Sequence, residues 1–194
     1  MPDKFTPTEH TCLWDRFRTG NRDAFSQLYT SFASDLYSYG YNLVRNRQLV
    51  EDCLHELFLY IHENRARLGA TNNIRYYLYR ALRRRLIETV GQLNKLESDA
   101  FLLDKAAWLS HPYESLLINE QLVEHQRRVL ETELNRLPRR QKEILYLVYM
   151  KGLTYNQTAE AMNLTIKSVY NTVNIALKTL RGQVGKSYKV CELY

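Results

Sequence analysis

The chain has 194 residues, 45 % of them apolar, enough for one medium domain or two small ones with packed cores. Its formal charge of +6 and pI near 9.2 favour an acidic partner such as nucleic acid or an anionic membrane surface. No stretch approaches the ~18 uncharged apolar residues of a membrane span, which excludes membrane insertion by a helix.

Only 7 Gly and 4 Pro punctuate the chain, and period-3.6 patterns recur without any sustained strand alternation, so the expected fold is all-α. Asn21 is placed to cap a first helix carrying Phe25, Leu28, Tyr29 and Phe32, continuing through Leu36, Tyr39 and Leu43. A second helix starts near Gln48, with Val50, Cys53, Leu54, Leu57, Phe58 and Ile61 on one face at i, i+3, i+4 spacing. After a loop over 65–73, Asn72 or Asn73 caps a third helix running to about Val90. Its inward set is Ile74, Leu78, Ala81, Leu82 and Leu86. Between these positions lie Arg75, Arg80, Arg83, Arg84 and Arg85, interleaved with Tyr76, Tyr77 and Tyr79. Arginine neutralises phosphate and tyrosine offers a stacking face to an unpaired base. A solvated basic face with core tyrosines is an equally good reading of the same residues.

From Glu97 to Glu124 six acids stand against one base, with Pro112 among them. This reads as an acidic linker over 93–113, separating a domain over 1–92 from a second over 114–182 and a tail over 183–194. The second domain reads as four helices: roughly 114–135, one begun by Pro138 and ended by Gly152, then Tyr155–Met162, then Ile166–Arg181.

Residues 155–174 carry the strongest motif. A helix-turn-helix needs a small residue where the helices touch, a turn residue that tolerates φ > 0, and apolar wedges on both sides. Ala159, Asn163, and Met162, Leu164 and Val169 supply these at the right mutual spacing. In the second helix Val169, Val173, Ala176, Leu177 and Leu180 face the domain. Lys167, Asn171, Asn174 and Lys178, spaced 4, 3 and 4 apart, face out, a polar and cationic surface suited to the major groove. No acid occurs between Glu160 and Glu192, which avoids repelling phosphates. An ordinary αα-hairpin with a solvated face is the bland alternative.

The remaining chemistry is sparse. The cysteines Cys12, Cys53 and Cys191 have no zinc spacing and fit free thiols in a reducing cytosol. His10, His55, His62, His111 and His125 form no nucleophile or metal constellation, and there is no Gly-rich phosphate loop. The expectation is a non-enzyme with no catalytic residue, metal or cofactor. The N-terminus lacks the apolar core of a signal peptide, so the expected location is the cytoplasm.

Over roughly 20–182 these residues resemble the sigma-70 family of bacterial sigma factors, in its compact extracytoplasmic function (ECF) group. The segment 24–44 resembles the opening helices of sigma region 2. The segment 50–64 is similar to the family's polymerase-binding helix, with Glu51, Asp52, Glu56 and Phe58 matching and His55 where Gln is usual. The segment 73–88 resembles the promoter-melting helix, with Tyr77 in place of Trp and Arg84 in place of Asn. The segment 134–181 looks like region 4, with Thr172 and Ile175 where arginines are common.

The resemblance implies a protein that brings core RNA polymerase to promoters and has no chemistry of its own. It implies core binding by Glu51, Asp52, His55, Glu56 and Leu59. It implies capture of the melted −10 strand by Thr71, Asn72, Asn73, Arg75, Tyr76, Tyr77, Arg80, Arg83 and Arg84. Asn72 and Asn73 have the alternative role of helix caps. The −35 duplex would meet Thr165, Lys167, Ser168, Tyr170, Asn171, Asn174 and Lys178. The acidic linker would run through the polymerase cleft, and a solvated linker is its alternative. Many members are held inactive by an anti-sigma factor, though no residue here identifies one. The competing functions are a conventional helix-turn-helix regulator that binds duplex DNA without polymerase and an adaptor that binds only proteins.

Overall fold

A computed structural model describes residues 6–96 and 129–191. All regular elements among them are helical. The helices are α1 (Pro7–Arg18), α2 (Arg22–Val44), α3 (Arg47–Glu63), α4 (Ile74–Leu96), α5 (described over 129–136), α6 (Arg139–Leu145), α7 (Tyr155–Met162) and α8 (Ile166–Cys191).

Capping residues set the boundaries of the first half. The Asn21 side chain accepts the backbone N–H of Ala24 at 2.9 Å and starts α2. Arg45, in the left-handed region at φ 51°, ends it, and Asn46 caps α3 through the N–H of Leu49 at 3.0 Å. Each such cap is worth about 1 kcal/mol. Helices α2, α3 and α4 pack mutually, with Leu28, Phe32, Leu36, Val50, Leu57, Ile61, Ile74, Leu78, Leu82 and Leu86 buried between them. At the crossing, Gly40 of α2 lets the backbones close up. A Cβ there would lie 2.9 Å from Val50 Cγ1 and 3.3 Å from Leu86 Cδ1.

Two features depart from the sequence expectation. Helix α1 was not foreseen. It opens with Pro7 in the first turn and a capping box between Thr6 and Glu9, and it buries Leu13, Trp14 and Phe17 against the bundle. Helix α4 runs past Val90 to Leu96. The proposed linker 93–113 therefore begins within a helix, and its remainder and the start of the expected 114–135 helix lie outside the described residues.

In the second half Pro138 precedes α6, which continues through one wider turn, Tyr146–Met150. There the N–H of Lys151 reaches back five residues to the carbonyl of Tyr146 at 3.1 Å. Gly152, at φ 68°, then reverses the chain as expected. Helix α8 extends beyond Arg181 to Cys191, so most of the tail is helical rather than a separate segment.

A larger side chain at the Gly40 crossing must push three helices apart. Gly40→Leu is expected to cost about 2–3 kcal/mol in denaturant unfolding, the range for overpacking a tight core.

Candidate nucleic-acid and polymerase interfaces

The inward stripe of α3 fixes what it shows to solvent. With Cys53, Leu54, Leu57 and Phe58 buried, Glu51, Asp52, His55, Glu56 and Leu59 are exposed together on the opposite face. Glu51 pairs with Arg47 one turn back at 2.9 Å, and Glu56 pairs with Arg85 of α4. A groove of about 470 Å³ runs beside this face, walled by Tyr29, Ala33 and Tyr37 of α2 and rimmed by Glu51, Asp52 and His55. An aromatic wall with an acidic rim suits a helical partner that brings both apolar and basic side chains.

The loop before α4 is tied down from α1. The buried Trp14 indole donates to the carbonyl of Gly69 at 2.8 Å, and its ring packs 5.0 Å from that of Tyr77. Asn73 caps α4, accepting the N–H of Tyr76 at 2.8 Å, while Thr71 Oγ1 accepts the N–H of Asn73 at 3.2 Å. Of the three polar residues expected to meet an unpaired base, Asn72 is the exposed one. Two roles that the sequence left open are thus divided: Asn73 caps, and Asn72 points to solvent.

The basic residues of α4 do not share one face. Arg75 is buried over the Phe32 ring at 5.8 Å and lies 3.6 Å from Asp35 of α2. Tyr79 is also buried, packed 5.0 Å from Tyr39, and Tyr77 leans on Trp14. Arg80 and Arg84 are exposed, with Arg84 paired to Glu88 at 2.7 Å. Tyr76, Arg80 and Arg83 face the second half of the chain. Tyr76 donates to Glu160 of α7, and Arg80 lies 3.8 Å from the same carboxylate.

Arg83 donates to the buried carboxylate of Glu143 at 2.6 Å, and the Tyr39 hydroxyl donates to the same oxygen at 2.9 Å. Burial, and the Glu143 carboxylate beside it, push the Tyr39 hydroxyl well above its ordinary pKa, so it stays a donor. Burial works against the charge on Arg83, but Glu143 outweighs it and raises the Arg83 pKa.

The helix-turn-helix has the geometry its residues imply. Thr154 and Gln157 form a capping box at the start of α7. Asn163 takes φ 54°, and the N–H of Leu164 returns to the carbonyl of Ala159 at 2.7 Å, closing the turn. Val169, Val173, Ala176 and Leu180 are buried. Thr165, Lys167, Tyr170, Asn171, Asn174 and Lys178 are exposed on the outer face, joined by Ile166, Ile175 and Arg181. Thr165 and Ser168 are partly occupied in starting the helix, since Thr165 Oγ1 accepts the Ser168 N–H at 3.1 Å. Of these, Ile175 stands where the family resemblance leads one to expect an arginine, and Ile166 opens the helix. They offer methyl groups beside the amides, the chemistry that contacts thymine.

Comparison with known proteins decides the family. A model of sigma-70 region 2 matches residues 28–95, and a model of sigma-70 region 4 matches residues 127–180. The chain belongs to the sigma-70 family. No curated protein sequence matches it. Among solved structures it is similar to CnrH in complex with the cytosolic domain of CnrY, at 14 % identity and TM-score 0.56, over 91 % of this chain and 97 % of that one. It is also similar to the sigma factor RpoE in complex with the anti-sigma factor NepR from Bartonella quintana. That match has 17 % identity and TM-score 0.60, over 83 % of this chain and 96 % of that one. These likenesses establish a shared fold. The bundle of α2, α3 and α4 is therefore region 2, and the helix-turn-helix lies in region 4. Among the described residues there is no cluster able to hold a metal ion and no helix long and apolar enough to cross a membrane.

The two asparagines of the loop differ in what they do for the fold, since Asn73 caps α4 and Asn72 is exposed. Asn73→Ala is expected to lower stability by about 1 kcal/mol through the lost cap, whereas Asn72→Ala should stay within about 0.5 kcal/mol. Thermal unfolding of the two variants checks this.

Proposed function

We propose that this sigma-70 family member is an ECF-type sigma factor. It binds core RNA polymerase through region 2, opens the −10 element and reads the −35 element with region 4. The observation that carries the reading is the pairing of two different surfaces on one chain. The α3 face, with Glu51, Asp52 and His55 beside an aromatic groove, fits a protein helix and would repel DNA. The α8 face, with Lys167, Asn171, Asn174 and Lys178 exposed and no acid between Glu160 and Glu192, fits duplex DNA and not a basic partner. A conventional regulator has no use for the first surface, and a protein-only adaptor has none for the second.

Each surface has a role in this reading. Glu51, Asp52, His55, Glu56 and Leu59 meet the polymerase. Asn72 and the polar groups of Thr71 and Asn73 line the approach to an unpaired base, with Tyr76, Arg80, Arg83 and Arg84 along the strand. Arg75 and Tyr77 support that surface from beneath, Arg75 through Asp35 and Tyr77 through Trp14. Thr165, Lys167, Ser168, Tyr170, Asn171, Asn174 and Lys178 address the −35 duplex. A linker that follows α4 separates the two domains, and the protein acts in the cytoplasm without catalysis or cofactor. The solved neighbours suggest a further partner, an anti-sigma factor. A groove of about 600 Å³ between the halves, lined by Val44, Ile87, Val90, Met162 and Leu164 with Arg83, Arg139 and Arg140, offers it an apolar seat.

The test is affinity for core polymerase. Asp52→Lys is expected to weaken binding of the full chain to bacterial core enzyme by roughly thirtyfold or more, the ~2–5 kcal/mol seen for charge pairs at interfaces. Unchanged affinity removes α3 as the docking surface. On promoter DNA with the polymerase present, Asn171→Ala should relax preference at the base it contacts, a change of about 1–3 kcal/mol in discrimination. Lys178→Ala should weaken binding uniformly and reduce its salt dependence by about one unit of slope. Competition with base-substituted −35 elements distinguishes the two.

A further inference from the structure

Ile166, Tyr170 and Ile175 are each more than half exposed on the outer face of α8, beside the exposed amides of Asn171 and Asn174. The hydroxyls of the same stretch are occupied within the helix. Thr165 and Ser168 bond each other at 2.9 Å, Thr172 donates to the carbonyl of Ser168 at 2.7 Å, and Thr179 donates to that of Ile175 at 3.0 Å. Among the described residues the side chains of Asn171 and Asn174 hold no hydrogen bond, which leaves their donors and acceptors for a ligand.

Spacing sets these groups in two rows. Residues at i and i+4 stand side by side on a helix, with Cβ atoms about 5–6 Å apart. One row runs Lys167, Asn171, Ile175, and the other runs Ile166, Tyr170, Asn174, Lys178. Each amide therefore has an apolar neighbour, Ile175 beside Asn171 and Tyr170 beside Asn174. Tyr170 is steadied from α7, where the Tyr155 ring meets it edge-on at 6.2 Å. The two lysines stand toward the ends of the face, roughly 16 Å apart at ~1.5 Å per residue. No arginine occurs between Arg140 and Arg181. The window from Tyr170 to Ile175 thus offers amides and apolar groups and no cation.

We infer that this window selects A·T base pairs: Asn171 and Asn174 each address an adenine, and Ile175 packs on the methyl of a thymine in the same or the next pair. The inference rests on the reading that α8 meets the −35 duplex. An amide pairs one acceptor and one donor with adenine N6–H and N7 in the major groove. Guanine shows two acceptors at the same edge, and the side chains that match them best, arginine and lysine, are missing from the window. Cytosine has no methyl, and Ile175 would cover its amino group without giving that group a partner. Both strands of a pair are thus read against G·C. Lys167 and Lys178 are left for the phosphates that flank a groove about 12 Å wide.

The test selects duplexes from a randomised library, once with the full chain on bacterial core enzyme and once with the full chain alone. The upstream element recovered with core should hold adjacent A·T pairs at its invariant positions. In one recovered duplex each thymine of that element is replaced by deoxyuridine, which lacks only the methyl, and each adenine by 7-deazaadenine, which lacks N7. One deoxyuridine should weaken binding about fourfold, the worth of one buried CH₂, and the same replacement should have no effect on Ile175→Ala. One 7-deazaadenine should weaken binding about fivefold or more, and that loss should vanish in Asn171→Ala. Both side chains are exposed, so neither substitution threatens the fold. Invariant positions that are all G·C overturn the inference, as does the absence of any enriched element in both selections. So does a deoxyuridine series without effect on the unaltered chain, or one whose effect persists in Ile175→Ala. A·T elements recovered by the chain alone, with no core-dependent binding, uphold the base chemistry and instead remove the sigma-factor reading.

Discussion

The apolar stripe of α4 constrains everything around it. Ile74, Leu78, Leu82 and Leu86 recur every four residues and are fully buried against α2 and α3. At about 25 cal/mol per Å² of apolar surface, burial of four such side chains outweighs any single polar contact in region 2. Once the stripe faces the bundle, the remaining positions have no choice. Arg80 and Arg84 go to solvent, Tyr76 and Arg83 go to the seam with region 4, and Arg75 and Tyr79, next to the stripe, turn inward. The surface proposed to meet nucleic acid is a consequence of where the leucines go.

The seam with region 4 obeys a different logic. A buried ion pair adds little net stability compared with apolar packing, because both charges lose their water. Breaking one by removing a partner costs about 3–5 kcal/mol, since the other charge is then stranded. Glu143 and Arg83 therefore fix an arrangement more than they strengthen it. Tyr39 narrows it further, because its hydroxyl must donate to the same oxygen that Arg83 approaches. The wider turn at Tyr146–Met150 serves the same seam. It places Tyr146 on Tyr39 and Lys151 beside Asp35, contacts in which the two regions meet through side chains specific to each.

The sequence made the helices of region 2, the helix-turn-helix and the outward face of α8 legible because each is written in local periodicity. Asn163 could be read as the left-handed turn residue for the same reason, since few residues accept φ > 0. Three things were hidden. Helix α1 has local signals in Pro7 and the Thr6–Glu9 box, but its anchor, Trp14, finds its meaning only against Gly69 and Tyr77. The inward turn of Arg75 depends on Phe32 and Asp35 of α2, and nothing in the α4 pattern announces it. The seam between the regions joins residues about a hundred positions apart, such as Tyr39 and Glu143, and no spacing rule connects them. The assignment to Asn72 and Asn73 was readable as a choice between capping and recognition. Only the hydrogen bond from the Tyr76 N–H shows which asparagine caps.

The central claim is that this sigma-70 family member acts through polymerase. Run-off transcription measures it most directly, with purified full-length protein and bacterial core enzyme on a library of genomic promoter fragments. The same protein without core serves as the control for DNA binding. Discrete transcripts are expected only when protein and core are both present, with weak binding of the fragments by the protein alone. Tight, sequence-specific duplex binding by the free protein, with no core-dependent transcript, would contradict it and leave a conventional regulator in its place.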